Sequence, residues 1–372
     1  MTPEELVRDP LYQINLILWM TTPSRDVGIE PVFHRAGFDV FQIEGEVRLP
    51  LRLAANLKEK KIEASVVVVP DVLLRGRQKE YLIVECKAAL FGPGDGGAQR
   101  QARALLLQTA GVLTESLSLQ GGAIASTHVL YLTAHDPRHD QMTALTTLDT
   151  ELRACGAATA PVGLLALKIA DKTVVIEATA LPPSLQTYAR NGLLAIQTLL
   201  ANDTDPRPLY RIAWMPGSEK QQDSYNQEQF AKRVLASAAM QVAKARLYKS
   251  KALKIQIEPI LDEATSGFFR KWKKREETKI VRARAMEILR IQLGKVRQAL
   301  PSSDGQAIEI YIPDRATQED IVEKLRDWST SDYPVDVQQQ LFHAANSGDT
   351  NSRQRFLPKQ ARNNKSPDSD TK

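Results

Sequence analysis

Residues 66–90 read VVVVPDVLLRGRQKEYLIVECKAAL. Two apolar, β-branched runs flank a short polar turn, the pattern of two strands joined as a hairpin. Side chains alternate along a strand, so Glu85 and Lys87 share one face and Cys86 takes the other. Hairpin pairing brings Asp71 beside the Glu85/Lys87 pair, so two carboxylates and an ammonium converge at one strand-lined spot. Two carboxylates with a few waters suit a hard divalent cation such as Mg²⁺. The ammonium can hold an attacking water or steady a phosphate oxygen. The plain alternative is a solvated hairpin, with Asp71 a turn residue after a proline and Glu85/Lys87 a surface ion pair of little consequence. Against it, YLIVECKAAL is mostly apolar, and charges at the end of a buried strand need partners or a task.

Composition sets the frame. The 372 residues are 43% hydrophobic and 25% charged, as expected of a soluble globular chain with two or three domains. No apolar run approaches the roughly 18 residues of a membrane span. INLILWM (14–20) is short and lacks a basic leader and a cleavage site, so no signal peptide is read and a cytoplasmic protein is expected. Cys86 and Cys155 show no zinc spacing, and His128, His135 and His139 read as loop and strand-end histidines. Charge is uneven. Lys232–Leu300 carries 18 Lys/Arg against 6 Asp/Glu, a balance of +12 that leaves −7 for the rest of a chain whose net charge is +5. That half is expected to face a polyanion.

Along the chain, helices are expected at 11–20 and 49–61, strands at about 62–74 and 80–88, and a glycine-rich turn at 91–97. A long helix at roughly 98–118 follows, then a strand at 126–134, a helix ending near Ala154, strands at 161–169 and 172–178, and a helix at 184–201. After a boundary loop at 202–208 come long helices at 222–250 and 268–300, a strand at 308–312, and a helix at 317–328 with a Thr cap. Residues 346–372 are Ser/Asn/Asp/Lys/Pro-rich and expected to be disordered. The fold class is α/β: a first domain at 1–201, a mainly α-helical basic domain at 209–345, and a tail.

Pro70-Asp71 and Glu85-Cys86-Lys87, each at the end of an apolar strand, resemble the PD-(D/E)xK nuclease superfamily. The resemblance covers roughly residues 1–180 and implies a restriction-endonuclease-like mixed-sheet core and metal-dependent phosphodiester hydrolysis. It implies Asp71 and Glu85 as ligands of Mg²⁺ (or Mn²⁺), the Cys86 backbone carbonyl as a further ligand, and Lys87 as the residue assisting the nucleophilic water. Relatives often add an upstream acid; of Glu5, Glu30, Glu44 and Glu46, Glu46 is favoured. The Gln-x-x-x-Tyr pattern of the exonuclease branch is missing, since Gln99 is followed at the fourth position by Arg103 and Gln101 by Leu105. Gln99 and Arg103 still share a helix face and are candidate phosphate contacts.

In FFRKWKKREETK (268–279) base and aromatics interleave. Arg270, Lys271, Trp272, Lys273, Lys274 and Arg275 are candidate nucleic-acid contacts, weighed against a solvated basic helix end whose aromatics reach the core. The resulting expectation is a Mg²⁺-dependent nuclease acting on DNA, ahead of RNA, in restriction, phage defence or repair. The alternative is a non-catalytic nucleic-acid-binding or assembly subunit on the same fold, and a third reading is an unrelated small-molecule α/β enzyme. Action alone, as a homo-oligomer or beside a partner subunit stays open.

Overall fold

The structure, a computed structural model, describes residues 2–23, 29–89, 95–119, 122–135, 141–170, 173–198, 207–216, 224–245, 252–296, 299–302 and 305–330. Helices α1 (Pro3–Arg8), α2 (Pro10–Thr21) and α3 (Val32–Arg35) lead into strand β1 (Phe38–Ile43). A small ribbon of β2 (Val47–Arg48) and β3 (Val67–Val68) brackets helix α4 (Leu51–Glu59). The hairpin β4 (Val72–Gly76) and β5 (Glu80–Lys87) follows, then α5 (Gly96–Leu106), α6 (Ala110–Leu117), β6 (Ser126–Ala134), α7 (Gln141–Ala154), β7 (Val162–Ala170), β8 (Thr173–Thr179), α8 (Pro183–Gln186) and β9 (Leu193–Thr198). Seven strands form one mixed sheet in the order β1-β4-β5-β6-β7-β8-β9. The centre is parallel (β5, β6, β7) and both edges are antiparallel.

EYLIVECK, STHVLYLTA and VGLLALKIA are near-continuous apolar runs because central parallel strands are covered on both faces. Leu82, Val84 and Cys86 point to one cluster, with α1, α2 and the C-terminal region. Tyr81 and Ile83 point to the other, under α4 to α7. Glu85 and Lys87 therefore face the α5 side, opposite Cys86, as alternation requires.

Several expected elements differ. The strand at 62–74 is two pieces, because Pro70 has no N–H to give a ladder. Val67–Val68 pairs with β2, and the chain turns at Pro70-Asp71 before β4 begins. The helix at 98–118 is broken between Leu106 and Ala110, where Thr109 is extended and the Leu106 carbonyl accepts from Ala160 N–H. The helix at 184–201 is instead a short turn of helix and a strand. Asn191 and Gly192 take positive φ of 50° and 78°, a turn that ends any helix, and LLAIQT then completes its backbone pairing on β8.

Beyond residue 206 the region combines α9 (Ser224–Lys244), β10 (Ala252–Gln256), α10 (Ile257–Ala264), α11 (Arg275–Val296), β11 (Ala299–Pro301), β12 (Ala307–Tyr311) and α12 (Arg315–Thr330). It is mainly helical, as expected, with the addition that β10, β12 and β11 form a three-stranded antiparallel sheet. The helix at 268–300 resolves into a 3-10 turn at Phe269–Lys271, an extended Trp272–Lys274, α11 and β11. Asp314, rather than Thr317, caps α12 by accepting from Thr317 N–H. The apolar cluster on the α2 side runs from Leu6 to Leu325, so packing is continuous across the expected boundary at 201–209. No helix among the described residues is long and apolar enough to cross a membrane. Five residues at the glycine-rich turn (90–94), His139 and the 346–372 tail lie outside the described residues.

Candidate functional site

The β4–β5 register pairs Val72 with Val84, which sets Asp71 and Glu85 side by side at the end of the hairpin. Asp71 Oδ2 accepts from the Cys86 N–H at 2.6 Å. A strand residue turns its N–H and C=O to the same neighbour, so the Cys86 carbonyl also lies on the Asp71 side of β5. Lys87 Nζ stands 2.6 Å from Glu85 Oε1. Gln101, on α5, completes the group: its Nε2 donates to Glu85 Oε1 at 2.7 Å and its Oε1 accepts from Lys87 Nζ at 3.1 Å. From the opposite face of the sheet, Gln13 of α2 donates to the Lys87 carbonyl at 3.0 Å. Glu85 is 1% exposed, and its Oε2 is buried with no hydrogen-bond partner.

Burial, then the neighbouring Glu85 carboxylate, pushes the Asp71 carboxyl well above the usual carboxylate range. Burial raises Glu85 too, against the pull of Lys87. Burial alone would lower Lys87, but the charge and hydrogen bond of Glu85 outweigh it and hold the ammonium above its ordinary value. Tyr131, opposite Glu85 in the β5–β6 register, is driven up by burial and by both acids. Two desolvated carboxylates side by side, one with an orphaned oxygen, form a site of excess negative potential. A hard cation with oxygen ligands fits that donor set. Among the described residues, no group of three or more His, Cys, Asp or Glu side chains gathers at metal-ligand spacing.

Glu46 is not placed at this centre. It is exposed and pairs with Arg48 at 2.9 Å. Glu5 caps α1, and Glu30 pairs with Arg35. The acid near Asp71 is Glu44: its N–H donates to the Asp71 carbonyl at 3.0 Å, and its charge adds to the upward push on Asp71. Glu44 Oε2 accepts from Trp272 Nε1 at 2.6 Å and Oε1 from Lys274 Nζ at 3.3 Å; Lys274 also pairs with Glu277.

Gln99 lies in the first turn of α5, whereas its helix neighbour Gln101 reaches Glu85 and Lys87. Arg103 turns away from the centre, pairing with Glu151 of α7 at 3.0 Å and donating to the Glu63 carbonyl. Trp272 is buried and bonded to Glu44, so its ring offers no free face to a base. Arg270 pairs with Asp262 at 3.0 Å, Lys271 lies over the Phe268 ring, Lys273 Nζ donates to the Arg270 carbonyl, and Arg275 is exposed at the start of α11. His128 is held by the Ala180 carbonyl and pushed below its ordinary value by burial. His135 is bound through its backbone to Leu167. The chain matches no family model, no curated protein and no solved structure.

Burial, then Glu44, raises the Glu277 carboxyl to about 8. A carboxyl raised on folding stabilises fully below its unfolded pKa, and that stabilisation is lost as pH rises through the folded value. Glu277→Gln is therefore expected to gain on wild type between pH 5 and 8, by roughly 1–3 kcal/mol. Urea midpoints of both proteins at the two pH values check this; a gap that does not change with pH would contradict it.

Proposed function

We propose that the chain is a metal-dependent nuclease of the PD-(D/E)xK type, with DNA as substrate. One observation supports this above others: Asp71, Glu85, Lys87 and Gln101 meet at one buried strand end, with a carboxylate oxygen left unpartnered. Asp71, Glu85 and the Cys86 carbonyl would hold Mg²⁺ or Mn²⁺. When bound, that ion supplies Lewis acidity and lowers the pKa of its water. Lys87, still partly exposed, orients the attacking water and steadies a phosphate oxygen. Gln101 fixes the Lys87 ammonium against Glu85.

A second reading, a non-catalytic nucleic-acid-binding or assembly subunit, draws on the same pair, because a 2.6 Å Lys87–Glu85 contact also neutralises a buried acid as a structural ion pair would. Incubation with supercoiled and linear DNA in Mg²⁺, Mn²⁺ or EDTA separates them. The nuclease reading expects cutting with either cation and none in EDTA. DNA bound but uncut under every condition supports the subunit instead.

A further inference from the structure

The C-terminal region reaches the candidate centre through three consecutive residues. Lys273 N–H donates to the Ile43 carbonyl at 2.8 Å, and Trp272 forms a parallel bridge with Ile43 at the end of β1. Trp272 and Lys274 then grip the two carboxylate oxygens of the next residue, Glu44. Glu44 is 9% exposed and has a left-handed φ of 48°. That conformation is unfavourable for a residue with a Cβ and persists where surrounding contacts enforce it. Its N–H holds the Asp71 carbonyl, and the Asp71 carboxylate is in turn oriented by Cys86 N–H. A continuous run of hydrogen bonds therefore joins the indole of Trp272 to Asp71, across some two hundred residues of sequence.

We propose that Glu44, clamped by Trp272 and Lys274, is a positioning residue that sets Asp71 for cation binding, so that the C-terminal region controls a centre built by the N-terminal sheet. The inference rests on the metal reading of that centre. Groups behind a ligand fix its orientation, and losing one lowers metal affinity or activity by about 10–100-fold. Trp272→Phe deletes the N–H donor while keeping an aromatic ring in the pocket beside Phe269. Lys274→Met deletes the ammonium and keeps most of the stem. Lys273→Met is the control, since its side chain is exposed and bonds only the Arg270 carbonyl.

The test is Mn²⁺ binding to the full chain, read from the electron paramagnetic resonance of the free ion, beside melting temperature and indole emission during a Mg²⁺ titration. Wild type is expected to bind and Asp71→Ala not to. Trp272→Phe and Lys274→Met should each remain folded by melting curve, with Trp272→Phe melting somewhat lower for the orphaned Glu44 oxygen, and each should bind about tenfold more weakly, while Lys273→Met should bind as wild type. The Mg²⁺-dependent change in indole emission should vanish in Trp272→Phe. Wild-type affinity in both Trp272→Phe and Lys274→Met overturns the positioning role and leaves the metal reading standing. Equal weakening in Lys273→Met also overturns it, because charge alone would then account for the effect. No Mn²⁺ binding by wild type removes the metal reading and this inference together.

Discussion

Asp71→Asn is expected to lower Mg²⁺-dependent cleavage by about three orders of magnitude, in the range seen when a preorganised electrostatic group is removed, and to leave the protein as stable as wild type or more so. The first half follows from losing one of two carboxylates at the centre. The second follows from the cost of that carboxylate. Asp71 is half-buried beside Glu85, and its carboxyl is held well above its usual range. Whatever stability it contributes is present below its unfolded pKa and lost as pH rises through the raised folded value. Asparagine keeps an oxygen to accept from Cys86 N–H and carries no charge. In metal-free buffer the variant should therefore match wild type near pH 4 and melt higher at pH 8. Single-turnover cleavage and paired melts at the two pH values check both halves. A variant that is inactive and also less stable at pH 8 would make Asp71 a structural residue. Such opposition of stability and activity is a common mark of functional sites.

Asn15→Leu is expected to cost about 3–5 kcal/mol and lower the melting temperature by about 10 °C. Asn15 is buried in α2, where its Nδ2 donates to the Leu11 and Ile212 carbonyls at 2.8 and 3.0 Å, and its Oδ1 accepts from the N–H groups of Arg211 and Ile212 at 2.6 and 3.0 Å. Leucine fits the volume but strands the backbone groups of 211–212, and each buried orphan costs about 1–3 kcal/mol. The edge-on and tilted ring cluster of Tyr12, Trp19 and Tyr210 remains, so the chain should still fold while 207–216 becomes the first segment cut by protease. Urea unfolding and limited proteolysis test this. A loss under 1 kcal/mol would show that the segment is held by its apolar contacts alone.

The centre was legible because its parts are local. One hairpin carries Asp71, Glu85 and Lys87, and period-two alternation alone assigns their faces. Strands β6, β7 and β8 were equally plain, since buried parallel strands write apolar runs. What failed was nonlocal. LLAIQT is apolar enough for helix or strand, and only its partner β8 decides. Trp272 among lysines resembles a stacking aromatic, and only the approach of β1 shows it as a donor to Glu44. Glu44 and Glu46 are indistinguishable in sequence. The left-handed backbone at Glu44 turns one inward, while Arg48 draws the other out. Gln101 was visible as half of an incomplete pattern, but its neighbour Gln99 was favoured because helix phase relative to the sheet cannot be read from α5 by itself.

The most direct measurement is a crystal structure of the wild-type chain with Mn²⁺, taken at the manganese absorption edge. A nuclease centre of this type predicts an anomalous peak between Asp71 and Glu85, at about 2.0–2.3 Å from an oxygen of each, with the orphaned Glu85 Oε2 turned to it. Saturating Mn²⁺ with no peak between those two carboxylates, and Lys87 still closed on Glu85, would contradict the account.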